Sequence, residues 1–224
     1  MSISKLVPLS FLQSAVLFAI VTRVGLLAAH SIGLGAPYIE AALAGNGSAQ
    51  AVVSMLQVAI ILGALAGAVL LVADLLFLPY WPEALIDTAR KTTLWENFAA
   101  SFYGGINEEV LIRLFGLSAL AWLFSRVWHT SAALPTSAVF WVVNVLMTIL
   151  FGIGHLPALK HLLGRIPPLM FARTLLLNAP VGLLCGWLFW MYGIEAAIVA
   201  HFSVDIVYQV FGTVMLRRKL GASA

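Results

Sequence analysis

Six ionisable side chains gather in three of the long apolar runs of this chain. They are Glu108, Glu109 and Arg113 in one run, His155 at the end of another, and His201 and Asp205 in a third. An ionisable group within a membrane span costs about 2.5–3.5 kcal/mol on insertion scales, so such groups mark functional positions. Carboxylates and imidazoles gathered in one place can activate a water, hold a metal ion or relay protons. Glu109 and Arg113 are four residues apart and share a helix face, which suits an internal ion pair. Glu108 points about 100° away from Glu109 and needs another partner. Gly104 and Gly105, one turn earlier, let a backbone or a substrate approach closely. Asn144 lies three turns before His155 and is expected to face the same way, lining the same cavity. His201 and Asp205 are again four apart, and Tyr208 and Gln209 continue their polar stripe.

Other hydrolytic chemistries find little support. Ser101, Ser118 and Ser203 have no partnering His or Lys and read as packing residues. Cys185, the single cysteine, has no basic neighbour in its own span to make a thiolate, and it excludes an internal disulfide and a multi-cysteine metal site. A carboxylate-activated water remains, with no cofactor. Two alternatives stay open. Glu108, His155 and His201 can form a His₂Glu zinc set, although no HExxH occurs. Intramembrane acids and histidines also build proton pathways in transporters, but Arg23 and Asp74, the charged residues within the first two spans, do not mirror the second-half pattern.

Composition indicates the scaffold that holds these groups. The chain has 224 residues, 62% hydrophobic and 9% charged, against about 25% charged for soluble domains. Its fold class is all-α, a polytopic membrane bundle of about six helices, since the apolar runs are too long for β-barrel strands. The expected spans are 9–31, 51–78, 98–124, 133–156, 172–192 and 195–216. The polar stretch 83–97 suits a short interfacial helix with Trp81 and Trp95 at headgroup depth. Residues 1–224 form one membrane domain, with a motif-bearing core at about 95–215 and accessory helices in 1–80. Gly63/Gly67 and Gly182/Gly186 are GxxxG pairs suited to helix packing. With the N-terminus in the cytoplasm, Lys5, Arg90, Lys91, Lys160, Arg165, Arg173, Arg217, Arg218 and Lys219 fall inside and only Arg126 outside. This bias puts both termini in the cytoplasm and accounts for the +3 net charge without a nucleic-acid partner. A signal peptide over 1–30 is the rival, weakened by Arg23 and the lack of a cleavage site. At about 1.5 Å per residue, Glu108 and Asp205 reach a similar depth. His155 comes out shallower, so either the fourth span runs on past 156 or His155 sits at the mouth of a cytoplasm-facing cavity.

Glu108-Glu109-xxx-Arg113, Phe151-xxx-His155 and His201-xxx-Asp205 resemble, in order, the EExxxR, FxxxH and HxxxN/D motifs of the CAAX prenyl protease and bacteriocin-processing family of glutamic intramembrane proteases. The run from Gly182 to His201 is also similar to that family. The resemblance covers about 95–215 and implies a metal-independent endopeptidase acting on a membrane-anchored or lipidated protein or peptide. It implies that Glu108 and His155 activate a water, that His201 and residue 205 support the oxyanion, and that Glu109 and Arg113 hold the first motif in shape. Phe151 and Tyr208 are expected to line the substrate cavity. Asp205 departs from the Asn of the best-understood members. An ionised Asp would repel an oxyanion, so it is protonated, orients His201 or binds elsewhere; the role of His201 partner is favoured. A non-catalytic immunity or scaffold member of the same family is the remaining alternative.

Overall fold

The computed structural model describes residues 3–219, which form helices and no strands. In chain order these are α1 (Ile3–His30), α2 (Pro37–Leu43), α3 (Ala49–Phe77), α4 (Glu83–Lys91), α5 (Leu94–Glu109), α6 (Ser118–Ser125), α7 (Ser137–Gly154), α8 (Leu156–Leu163), α9 (Pro168–Tyr192), α10 (Ile194–Asp205) and α11 (Gly212–Lys219). Two π-helical stretches, Val110–Leu117 and Ile206–Phe211, join α5 to α6 and α10 to α11 without a break. Five helical segments are long and apolar enough to cross a membrane: Leu12–His30, Ala49–Tyr80, Ser137–Leu163, Pro168–Tyr192 and Ile194–Lys219. The third expected span is the continuous helix 94–125, set apart from these by Glu96, Glu108, Glu109 and Arg113.

Local chemistry sets the helix ends. Ser48 accepts a hydrogen bond from the Ala51 amide and Thr136 from the Val139 amide, relieving the unpaired first-turn N–H groups. Thr93 and Glu96 close a reciprocal capping box at the start of α5. Pro167 and Pro168 open α9, and Gly193, at φ 91°, closes it in a conformation that favours glycine. Leu17, Ile20, Leu65 and Val69 face outward, an apolar exterior suited to lipid tails.

Small residues set the helix spacing. A Cβ added at Gly63 would strike the Ala200 carbonyl, and one at Gly67 would come within 2.7 Å of the Val204 carbonyl, so α3 and α10 cross almost backbone to backbone. A Cβ at Gly182 would lie 2.6 Å from Thr148 Cγ2, and one at Gly186 would strike Asn144. Both GxxxG pairs are thus close helix crossings. Gly63→Leu is expected to push α3 off α10 and destabilise the protein by about 1–3 kcal/mol or more, read as a lower unfolding temperature in detergent; an unchanged midpoint would contradict this packing.

The fourth span does run past 156. After His155 the chain re-enters helix as α8, so the site residue lies at a bend and not at the end of the segment. Two positions depart from expectation. Arg173, counted among the loop cations, lies well inside α9, because that helix begins at Pro168. Trp81 covers the Arg173 guanidinium, 4.8 Å from its ring centre, rather than sitting free at the interface. Nothing in the structure explains Arg23, which is exposed on α1, and the Lys5 side chain lies outside what the structure describes.

Candidate active site

The three motifs meet in one cavity of about 530 Å³. Helix α5 supplies Glu108, the bend after α7 supplies His155, and α10 supplies His201 and Asp205. Its walls extend to Leu85 of α4 and to Leu159 and Leu162 of α8. Glu108 lies at the centre. Its Oε1 is 3.9 Å from His155 Nε2 and its Oε2 is 3.7 Å from His201 Nε2. These separations exceed a direct hydrogen bond and suit groups that share a small third molecule. The Glu108 and His155 side chains are 37% and 39% exposed, whereas that of His201 is 4% exposed. The first two therefore face the open cavity and the third is fixed in the wall. Gly104 borders this space: a Cβ there would make ordinary contacts, 3.7 Å from Asp205 Oδ2 and 3.9 Å from Glu108 Oε2.

Each imidazole is oriented through its other nitrogen. His155 Nδ1 lies 2.9 Å from the Phe151 carbonyl oxygen. A carbonyl only accepts, so Nδ1 carries the proton and donates, and Nε2 is left to face Glu108. His201 Nδ1 lies 2.7 Å from Glu109 Oε1. That same oxygen accepts from Arg113 Nη1 at 2.9 Å, and Arg113 Nη2 donates to the Gly182 carbonyl at 3.1 Å. The chain Gly182–Arg113–Glu109–His201 is almost wholly buried, with Glu109 and Arg113 at 0% and 1% exposure. The expected Glu109–Arg113 ion pair is present and does more than neutralise two charges: it ties α9 to α5 and grips the ring of α10. Phe151 packs edge-on against both rings, at 4.8 Å from His155 and 5.8 Å from His201, and lies under the Arg113 guanidinium at 4.8 Å.

The π-helical stretches begin directly after Glu109 and after Asp205. A π turn inserts a residue into the helical ladder and rotates the next turns of helix about the axis, and such insertions concentrate at functional sites. Here they let the motif residues face the cavity while Leu114 and Leu117 still pack into the core.

Two expectations need correction, and a third gains a neighbourhood. Asp205 does not hydrogen-bond His201; it lies 4.0 Å from Nε2, on the cavity side, and Glu109 holds the ring instead. Four-residue spacing on one helix favoured Asp205, whereas the contact between α5 and α10 decided for Glu109. Asn144 does not line the cavity. It is 1% exposed and donates to the Leu183 carbonyl at 3.1 Å, at the crossing of α7 and α9; α7 is unbroken up to Gly154, so the two share a face, but eleven residues at about 1.5 Å each set Asn144 some three turns along the axis from the cavity. Cys185, without a basic neighbour in its own span, meets such neighbours from other helices. Its Sγ, a Glu109 oxygen and a His201 nitrogen all lie within 4.8 Å of one another, the one buried trio among the described residues with ligand atoms that close. Phe151 and Tyr208 line the cavity as expected.

Arg173 and Asn178 of α9 also line the cavity, and neither was foreseen. The signal was Asp74, an acid within a span that requires a cation: Arg173 Nε and Nη2 donate to its two oxygens, each at 2.6 Å. A second cavity of similar volume lies at the opposite end of the bundle, around Tyr38, Glu40 and Trp190, away from all three motifs.

Comparison with known proteins places these residues in a family context. A family model described as type II CAAX prenyl endopeptidase, Rce1-like, matches residues 90–207, just over half of the chain and inclusive of all three motifs. No curated protein and no solved structure matches.

Proposed function

Given that the chain belongs to the Rce1-like family of type II CAAX prenyl endopeptidases, we propose that it is an intramembrane endopeptidase in which Glu108 and His155 activate a water against a peptide bond. The observation that carries this is the placement of the Glu108 carboxylate 3.9 Å and 3.7 Å from two imidazole Nε2 atoms in a single cavity. A water between Glu108 and His155 loses a proton to Glu108, and its oxygen attacks the peptide carbonyl carbon. The oxyanion that forms is met by His201 Nε2–H; because Nδ1 already donates to Glu109, that ring carries both protons when it does so. Collapse of the tetrahedral intermediate breaks the C–N bond, and the proton on Glu108 passes through His155 to the leaving amine. Glu109 is a positioning residue, acting through His201.

The substrate class is a membrane-anchored or lipidated protein or peptide. Cations cluster at the end of the bundle that carries α4, α8 and α11, with Arg90, Lys91, Lys160, Arg165, Arg217 and Arg218 there and Arg126 at the other end. That bias survives the removal of Arg173 from the count and supports a cavity open to the cytoplasm with both termini on that side.

Two outcomes test the chemistry. Asp205 faces the place where the oxyanion forms, so a neutral donor there should serve at least as well. Asp205→Asn is expected to cleave within about tenfold of the wild-type rate or faster, and a loss of about a hundredfold would give the carboxylate itself a role. The mechanism also needs no metal. A zinc chelator should leave cleavage unchanged; a loss that added zinc restores would move the chemistry to a metal held by Glu108, His155 and His201, or by the Glu109–Cys185–His201 trio.

A further inference from the structure

A slot of about 160 Å³, lined by none of the hydrolytic groups, lies at the end of the bundle where the cations cluster. Leu71 and Leu75 of α3, Leu78 just after it, Ala89 of α4 and Leu216 of α11 form its apolar walls, and Trp81 of the turn between α3 and α4 closes one side. The one acid in the wall, Asp74, already has both oxygens engaged by Arg173 and the Tyr208 hydroxyl. Arg90 follows Ala89 and Arg217 follows Leu216, so a cation stands next to each of two apolar walls. Arg217 Nη2 donates to the Thr92 carbonyl, which fixes the guanidinium against the end of α4. Neither Arg90 nor Arg217 pairs with an acid among the described residues.

Six buried side-chain nitrogens and oxygens lack a hydrogen-bond partner among the described residues, and only two of them are nitrogens: Trp81 Nε1 and Arg217 Nε. Both groups donate and neither accepts. The first belongs to the slot wall, and the second to the residue that follows a slot-lining leucine. Buried donors without acceptors are rare in folded chains, and two at one place point to an acceptor brought from outside. The two unpaired cations ask for negative charge on that acceptor, and the leucines ask for an apolar part. A phosphate diester joined to an acyl chain has both.

We propose that the slot binds an anionic phospholipid of the leaflet on that side. Its phosphate oxygens accept from Arg217 Nε and Arg90, an ester carbonyl accepts from Trp81 Nε1, and the start of one acyl chain lies along Leu71, Leu75 and Leu78. A zwitterionic lipid would bring its ammonium group against the same two cations. Helix α4 gives Ala89 to this slot and Leu85 to the wall of the active-site cavity, so the bound lipid also steadies that wall. The site is independent of the peptidase reading.

The test is native mass spectrometry of the full-length protein released from nanodiscs that hold phosphatidylglycerol and phosphatidylcholine in equal amounts. One phosphatidylglycerol per chain is expected to stay bound, preferred about tenfold or more over phosphatidylcholine, the range two cations near a headgroup supply. Arg217→Gln should lower that preference about fivefold or more. Should its lost tie to Thr92 unfold α11, Arg90→Gln, at an exposed position, should lower it by a similar factor. Trp81→Phe keeps the ring and removes the N–H, and should weaken retention about threefold or more. Arg165→Gln removes a cation from the turn between α8 and α9, which does not border the slot, and should change nothing. Equal retention of the two lipids, indifference to Trp81→Phe, or an equal loss with Arg165→Gln overturns the site. Excess glycerol phosphate should not displace the lipid, and neither should a prenylated peptide. Displacement by the first would make this a site for a soluble phosphate, displacement by the second would make it part of the substrate cavity, and either result overturns the proposal.

Discussion

Glu108→Gln is expected to slow peptide cleavage about a thousandfold or more while leaving the protein folded in the membrane. The substitution keeps the shape of a half-exposed side chain and removes the one atom that takes the water proton. General bases contribute about 10²–10⁴-fold. His155→Ala should cost a similar factor, because the imidazole positions the same water and returns the proton to the leaving amine. Groups that act on one water as a unit lose little more together than singly, so the Glu108→Gln/His155→Ala protein should be about as slow as either single variant. Rates that multiply would place the two side chains in separate steps. The check is kcat/KM on a prenylated CAAX peptide for the wild type and the three variants.

The largest effect on stability is expected at Arg113. Arg113→Met leaves Glu109 buried with only His201 and Cys185 beside it and removes the side-chain donor to the Gly182 carbonyl. Removing one partner of a buried pair costs about 3–5 kcal/mol, a large share of the roughly 5–15 kcal/mol that holds a typical fold. The purified protein should show a much lower unfolding midpoint, or fail to run as a single species in detergent. Glu109→Gln/Arg113→Met should recover part of that stability, since no buried charge is stranded. It should not recover activity, because a glutamine holds the His201 ring without the negative charge that stabilises its doubly protonated form. Full activity in this double variant would reduce Glu109 and Arg113 to a packing pair.

The separation of those two effects shows what the sequence could and could not reveal. Charges are scarce in this chain, so each one within a span stands out, and the motif residues together with the helical bundle were legible for that reason. The partner of His201 was not. Spacing within a helix brings Asp205 to mind, but only the crossing of α5 and α10 places Glu109 at 2.7 Å. The π-helical stretches leave no mark on a 3.6-residue apolar pattern, since one inserted residue shifts a face without changing its composition. Arg173 was misplaced because a cation near the edge of an apolar run looks like a topology marker, and its acid lies 99 residues away. The unpaired Asp74 was the available clue. Asn144 failed in the other direction: it shares a helix face with His155, but three turns of α7 separate them along the axis, and the crossing of α7 and α9 buries it there.

The most direct measurement is mass-spectrometric mapping of the products formed when purified protein, reconstituted in proteoliposomes, is incubated with a membrane-anchored prenylated CAAX peptide. Wild-type protein should cut one internal peptide bond of this substrate, and Glu108→Gln should leave it intact. An intact peptide with the wild type, or the same cut with Glu108→Gln, would contradict the proposed hydrolysis.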